Sequence, residues 1–169
     1  MGWYDVPRPI VPDLIVQHGR NQARKPALLC GERRWTWAEF DAATNQVANG
    51  LLQLNLAPGA RLAVLMQNSA EMALLLFGAG KAGVCVVPLN TAVSDAAVAA
   101  MVRDSGASAI AASGEHCQRV DALLAAGHKE HASASAPSAG SPADAMHIAF
   151  GIIRDVVIDY QPDALHVKS

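Results

Sequence analysis

After residue 36, apolar runs of strand length alternate with segments of helical periodicity, and this alternation limits the choice of fold more than any other feature. The strand-like runs are Arg61–Met66, Val84–Val87 and Ser108–Ala112. Between them, apolar residues recur every three or four positions, as on one face of a helix. Strands that alternate with helices favour a parallel sheet with right-handed crossovers. The sequence therefore predicts an α/β fold in which a mainly parallel sheet is flanked by helices.

Ahead of this alternation the sequence predicts one helix and one pair of strands. Pro12 and Asp13 open a short helix. Two short segments follow, Ala27–Cys30 and Arg33–Trp35, on either side of a Gly31-Glu32 turn, which is typical of a hairpin.

Capping residues place the starts of the later helices. Thr36 and Glu39 form a capping box, in which each side chain can bond to the backbone of the other residue. Asn68 or Ser69 can cap the next helix, and Ser94 can cap the one that ends at a glycine. The helix behind Thr36 carries an apolar face made of Phe40, Ala43, Val47, Leu51 and Leu54.

Composition excludes two classes of function. The chain has 169 residues, as expected of one domain, and its formal charge of −2 offers no basic face for nucleic acid. The longest apolar run, Met72–Leu89, is interrupted by Lys81 and by glycines, which makes it a poor membrane span. Cys30, Cys85 and Cys117 lie far apart, so we expect reduced, buried or partly buried thiols in a cytoplasmic protein.

The stretch "FGAGKAGVCVVPLN" contains Gly78, Gly80 and Gly83 in the G-x-G-x-x-G spacing of dinucleotide-binding proteins. That fingerprint follows a strand and opens a helix, so that backbone N–H groups face the pyrophosphate. Here a helix-like segment precedes the glycines and a β-branched segment follows them. We therefore expect the glycines to pack a helix end against the sheet, with Lys81 reaching solvent or the last carbonyls of the helix.

Two further motifs carry a resemblance to a known family. The segment "WTWAEF" (Trp35–Phe40) resembles the first core motif of the AMP-forming adenylating enzymes, which include acyl-CoA synthetases, and "GKAGVCVVPLN" (Gly80–Asn90) resembles their second. The similarity extends from Lys25 to Leu124. Its "PLN" ending is closer to that of carboxylate–CoA ligases than to that of peptide synthetases.

The resemblance implies activation of a carboxylate by ATP to an acyl-AMP, followed by transfer to a thiol, with ATP, Mg²⁺ and CoA as the family's cofactors. Such chemistry needs a Gly/Ser/Thr-rich phosphate loop, because phosphoryl charge must be met by backbone donors, a metal and cations. At the matching place, after Ala143–Phe150, stands "GIIRD", Gly151–Asp155. We expect no catalytic, cofactor-binding or metal-binding residue and no cofactor for this chain itself.

The expected organisation has three parts: residues 1–126 as a partial N-terminal subdomain of an AMP-binding enzyme, 127–145 as a flexible Ala/Ser/Pro-rich linker, and 146–169 as a divergent tail with two short strands. The first functional hypothesis is a truncated acyl-CoA synthetase-like fragment that is inactive alone. The alternative is a non-catalytic interaction module that pairs with another chain. Self-association through an incomplete sheet or core would fit either hypothesis.

Other groupings of reactive residues have plainer explanations. His128 and His131 have H-x-x-H spacing but no third rigid ligand, and we expect a solvated loop. Ser113 lies close to His116 in sequence, although near neighbours rarely form a catalytic pair and no nucleophile elbow is present. Asp155 and Asp159 would share one side of a strand, and we expect an exposed edge. The aromatic residues near the start are expected to be packing residues: Trp3, Tyr4, Trp35 and Trp37.

Overall fold

The computed structural model describes residues 10–133, with side chains for residues 10–125. Its elements, in chain order, are α1 (Val11–Asn21), β1 (Pro26–Cys30), β2 (Arg33–Thr36), α2 (Trp37–Gln53), β3 (Arg61–Leu65), α3 (Ala70–Lys81), β4 (Cys85–Pro88), α4 (Asp95–Ser105), β5 (Ala109–Ala112) and α5 (Cys117–Ser133). A single 3₁₀ turn, Gly114–His116, connects β5 to α5. Every element predicted within this range is present, with ends that agree to within a few residues except at the end of α5.

The described strands form two sheets. β1 and β2 pair antiparallel as a hairpin, and β4, β3 and β5 form a parallel sheet with β3 in the middle. Parallel pairing follows from the helices that separate these strands in sequence, since a parallel pair needs a crossover connection. The α/β prediction, with a parallel sheet flanked by helices, is confirmed.

The chain divides into two compact units that do not follow sequence order. The first contains residues 10–53 and 68–84, and the second contains residues 54–67 and 85–133, within the described range. Helices α1, α2 and α3 and the hairpin thus belong to the first unit, and the parallel sheet belongs to the second with α4 and α5. The expected boundary at residue 126 falls inside α5, which continues to Ser133; the rest of the expected linker and the tail lie outside the described residues.

The second unit has its core on the parallel sheet. Strand β3 is fully buried from Leu62 to Leu65, as its uninterrupted apolar sequence predicts. The core cluster draws on the sheet, α4 and α5: Ala63, Leu65, Leu89, Val98, Val102, Ala107, Ile110, Ala112 and Val120. Each of these side chains removes apolar surface from water, which is the main favourable contribution to folding.

Strand β4 departs from the prediction of a buried strand. Val86 and Val87 are only half-buried and Cys85 is exposed, whereas Cys30 and Cys117 are half-buried as expected. The prediction was wrong for Cys85 because β4 has only β3 as a neighbour among the described strands. An apolar run of four residues fits an edge strand as well as a central one, so its sequence does not distinguish the two.

The first unit packs three helices around aromatic side chains. The rings of Phe40 and Phe77 pack edge to face with their centres 5.6 Å apart. The rings of Trp37 and Phe40 also pack edge to face, with their centres 6.2 Å apart. The ring centres of His18 and Trp37 lie 4.6 Å apart. Trp37 is therefore a packing residue, as expected, whereas Trp3 and Tyr4 lie outside the described residues.

The predicted caps are present with the expected donors and acceptors. The Glu39 carboxylate accepts from the Thr36 backbone N–H at 2.8 Å, while the Thr36 hydroxyl accepts from the Glu39 backbone N–H at 3.3 Å. The first of these bonds, with a further bond from the Thr36 hydroxyl, lowers the pKa of Glu39 from its ordinary value of 4.5. Ser69 caps α3 and Ser94 caps α4, so Ser69 is the capping residue of the Asn68/Ser69 pair.

Helix α3 lies directly against α2 at Gly78. A Cβ atom built on Gly78 would lie 2.6 Å from Cβ of Val47 and 2.9 Å from the carbonyl oxygen of Thr44. Packing by this glycine was predicted, but its partner was wrong: Gly78 faces helix α2 rather than the sheet. Only a residue without a side chain permits this contact.

We predict that Gly78→Ala destabilises the protein by roughly 1–3 kcal/mol, because the new methyl group would overlap Val47 and the α2 backbone. Gly80→Ala is the matched control on the same helix, since its Cβ would have nothing closer than 3.6 Å, at Pro12. This control should be neutral or more stable by up to about 1 kcal/mol, because glycine weakens a helix interior. Urea unfolding midpoints measure both; equal midpoints for the two variants would contradict the close contact.

Candidate functional site

The glycine fingerprint lies at the wrong end of a helix for a phosphate. Gly78 and Gly80 belong to the last turn of α3, and Gly83 follows with a φ of +71°. The backbone N–H groups there already donate to helix carbonyls: that of Ala82 to Gly78 at 3.1 Å, and that of Gly83 to Gly80 at 3.3 Å. A helix C-terminus carries partial negative charge. These residues therefore do not fit the phosphates of a nucleotide.

Lys81 departs from the prediction that it would reach solvent or the last-turn carbonyls. Its side chain is only 8% exposed and points to helix α2. There the Lys81 ammonium donates to Asp41 Oδ1 at 2.5 Å, to the Asp41 carbonyl oxygen at 3.3 Å and to Asn45 Oδ1 at 2.7 Å.

Three acceptors complete the hydrogen bonding of this ammonium group, which has three protons to donate. Lys81 is thus occupied in holding α3 to α2, and it is not placed to meet a substrate anion. Sequence reasoning missed Asp41 and Asn45 as its partners. Their four-residue spacing on a predicted helix puts them on one face, but nothing in the sequence pairs that face with a lysine forty residues further on.

A second charged contact connects the hairpin to the start of α3. Arg33 forms an ion pair with Glu71, and its guanidinium lies 4.6 Å from the ring centre of Trp35. Burial raises the pKa of Glu71. The hydrogen bonds from Arg33 and from the Glu71 backbone N–H, together with the positive charge of Arg33, have a larger combined effect. The pKa of Glu71 is therefore lowered from its ordinary value of 4.5. Both family motifs thus adjoin ion pairs that hold elements of the first unit together.

Loops meet at the carboxyl edge of the parallel sheet in the second unit. The ladder continues past the strand ends, since Leu89 N–H donates to the Val64 carbonyl at 2.9 Å and Ser113 N–H donates to the Leu65 carbonyl at 3.3 Å. After β4, the Asn90 side chain accepts from the Ala92 N–H at 2.9 Å and closes a turn. In open α/β sheets this edge is where ligands bind. It is therefore the part of the second unit where a site could form.

Ser113 and His116 lie at this edge but do not form a nucleophile–base pair. The Ser113 hydroxyl donates to Glu115 Oε1 at 3.3 Å, and that oxygen lies 3.7 Å from His116 Nε2. His116 Nε2 is buried and has no hydrogen-bond partner among the described residues. The hydroxyl is thus directed to the carboxylate and away from the imidazole, which agrees with the sequence-based expectation.

Among residues 10–125, whose side chains the structure describes, no group of three or more His, Cys, Asp and Glu could hold a metal ion. His128 and His131 lie on α5 beyond the described side chains, and Asp155 and Asp159 lie beyond the described residues. In the same range, no helix combines the length and hydropathy that crossing a membrane requires.

We predict that Lys81→Met destabilises the protein by about 2–4 kcal/mol. The Asp41 carboxylate is largely buried, and the variant removes the cation that pairs with it. Arg103→Met serves as the control, since Arg103 is exposed on α4. Adding Asp41→Asn to Lys81→Met should recover part of the loss in a double-mutant cycle. Chemical unfolding measures the original chain, the two single variants and the double variant of the cycle, and the Arg103→Met control; a Lys81→Met midpoint equal to that of Arg103→Met would show that the ion pair contributes nothing.

Comparison with known proteins gives the family. The model for AMP-binding enzymes matches residues 15–149. A long-chain-fatty-acid–CoA ligase of Mycobacterium tuberculosis, FadD13, is 36% identical over 92 residues, which cover 54% of this chain and 18% of the ligase. A feruloyl-CoA synthase of an Amycolatopsis species is 34% identical over 110 residues, which cover 65% of this chain and 22% of the synthase. The chain therefore spans about one fifth of the length of these curated relatives.

Solved structures agree with the sequence relatives. The N-terminal domain of FACL13 from Mycobacterium tuberculosis superposes with a TM-score of 0.64 at 26% identity, over 84% of this chain and 37% of that one. The o-succinylbenzoate–CoA synthetase of Bacillus subtilis gives 0.61 at 26% identity, over 66% of this chain and 30% of that one. The sequence resemblance is thus confirmed, and the chain belongs to the AMP-binding enzyme family, whose N-terminal portion it represents.

Proposed function

We propose that this chain provides part of the supporting framework of an acyl-CoA ligase-like fold and contributes no reacting group to carboxylate activation. Two relatives that it matches are named a long-chain-fatty-acid–CoA ligase and a feruloyl-CoA synthase. A carboxylic acid is therefore the substrate class of the complete fold in this proposal. The 169 residues by themselves would be inactive.

The observation that carries the proposal is how the family-motif side chains are used. Thr36 and Glu39 of the first motif close the cap of α2. In the second motif, Lys81 holds α3 to α2 and Asn90 closes the turn after β4. Each of these polar groups has an internal partner, so each contributes to folding rather than to ligand binding. The resemblance to active ligases thus concerns parts of the motifs that build the framework.

Adenylation requires donors and cations that are free to bind the substrates. A carboxylate must approach the α-phosphate of ATP, and both groups are anionic, so free backbone donors, a metal ion and cations must offset the repulsion. Lys81, Arg33 and Arg119 all direct their charge to protein oxygens. The sequence at Gly151–Asp155 has one glycine and an aspartate where a phosphate loop would need several small residues and a lysine.

We expect the purified 169-residue chain to show no carboxylate-dependent exchange of pyrophosphate into ATP, with acids from acetate to palmitate and with ferulate. We also expect no binding of MgATP by calorimetry on the same preparation, because Lys81, Arg33 and Arg119 are already paired with protein carboxylates. A complete relative, the mycobacterial FadD13, serves as the positive control. Exchange above the enzyme-free background that depends on the added acid would overturn the proposal.

A second role, self-association, is favoured by the position of β4. Among the described strands, β4 pairs only with β3, and Cys85 at its start is exposed. An edge strand presents unpaired backbone N–H and C=O groups and can pair with another chain. We infer that two copies of this chain associate through the β4 edge.

Sedimentation velocity at rising protein concentration tests this role. We expect a dimer whose population falls in the Cys85→Lys variant, because a charge on an edge strand opposes edge-to-edge pairing. Leu29→Lys is the control, since Leu29 is 58% exposed on the hairpin of the first unit and should leave the dimer intact. A monomer at all concentrations, or equal effects of the two variants, would exclude the β4 edge.

A further inference from the structure

We propose that Arg119, which lies outside both family motifs, is a positioning residue that fixes the main chain of the loop between β4 and α4. This loop, Leu89–Ser94, follows the second motif at the carboxyl edge of the parallel sheet. The proposal concerns the second unit alone. It does not depend on whether the chain is catalytically active.

Arg119 reaches this loop from the first turn of α5 with three of its donors. Its Nη1 donates to the Thr91 carbonyl oxygen at 2.8 Å, and its Nη2 donates to the carbonyl oxygen of Val93. Its Nε donates to Asp95 Oδ1 at 2.6 Å. The Arg119 side chain is 18% exposed, whereas that of Asp95 is 64% exposed. The two carbonyl contacts are therefore better shielded from water than the ion pair.

The geometry requires arginine in particular. A guanidinium presents five N–H groups in a rigid plane, so one side chain can bond to two carbonyls and a carboxylate in fixed directions. A lysine at the same place would offer a single nitrogen on a flexible stem. Hydrogen bonds from a charged donor are about twice as strong as neutral ones, so two of them can hold an irregular backbone.

Other contacts hold the two ends of the loop, and the Val93 side chain packs against the core of the second unit. Leu89 continues the ladder to β3, and Asn90 closes its turn through the Ala92 N–H. Ser94 begins α4 as its cap. Thr91 and Val93 lie between these points, and the contacts of Arg119 reach both of them. The main-chain carbonyls of Thr91 and Val93 are thus held by a residue of α5, so that loop and helix are coupled at the edge where α/β proteins bind ligands.

Amide hydrogen exchange on the full chain tests the coupling, because it measures local opening residue by residue. In Arg119→Met we expect the amides of Asn90–Ser94 to exchange roughly 10-fold faster or more, while those of β3 keep their rates. Arg119→Lys should restore part of the protection, since one charged donor nitrogen remains. Arg103→Met, an exposed arginine on α4, should leave the loop unchanged.

Asp95→Asn separates the carbonyl contacts from the ion pair. It removes the carboxylate but leaves both carbonyl contacts, so loop exchange should stay within about 2-fold of the original rate. If the loop amides of Asp95→Asn were as poorly protected as those of Arg119→Met, the effect would belong to the ion pair and the proposal would be overturned. Equal acceleration of loop and β3 amides would show a general loss of stability and overturn it too. If Arg119→Met does not fold, Arg119→Lys decides: unchanged loop protection in that variant contradicts the proposal.

Discussion

The close approach of α2 and α3 is the contact on which the first unit depends. Gly78 allows the two backbones to come together, and one turn later the Lys81 ammonium bonds to three oxygens of α2. The glycine sets the distance between the helices, and the lysine sets their register along each other. Phe40 and Phe77 then meet across the same pair of helices. Replacing the lysine with an arginine would not be conservative here, because a planar fork does not fit three acceptors arranged around one nitrogen.

This use of the motif residues separates family membership from activity. Motifs in an enzyme family can persist because they build the framework. The polar groups of four motif residues are all hydrogen-bonded to other groups of the protein: Thr36, Glu39, Lys81 and Asn90. A fold is compatible with many activities, and activity must be argued from the groups that touch substrate. The framework role proposed for this chain follows from that distinction.

Local features were predictable from the sequence, and tertiary partners were not. A few neighbouring residues suffice to predict the caps at Thr36 and Ser69 and the burial of β3. Capping bonds join residues two or three positions apart, and a strand's burial is indicated by its own run of apolar residues. The partner of Lys81 and the exposure of Cys85 depend on which elements lie side by side. The same holds for Arg119, since two of its acceptors are main-chain carbonyls more than twenty residues away, which any residue type can supply.

The division into two units has a consequence for how the protein can be cut. The chain crosses from one unit to the other three times, after residues 53, 67 and 84. Strand β3 is central to one unit, yet the helices on either side of it in sequence belong to the other. Neither unit therefore corresponds to a continuous stretch of sequence. A single cut cannot release either unit whole, and a recombination breakpoint between residues 53 and 85 would leave both without a part of their core.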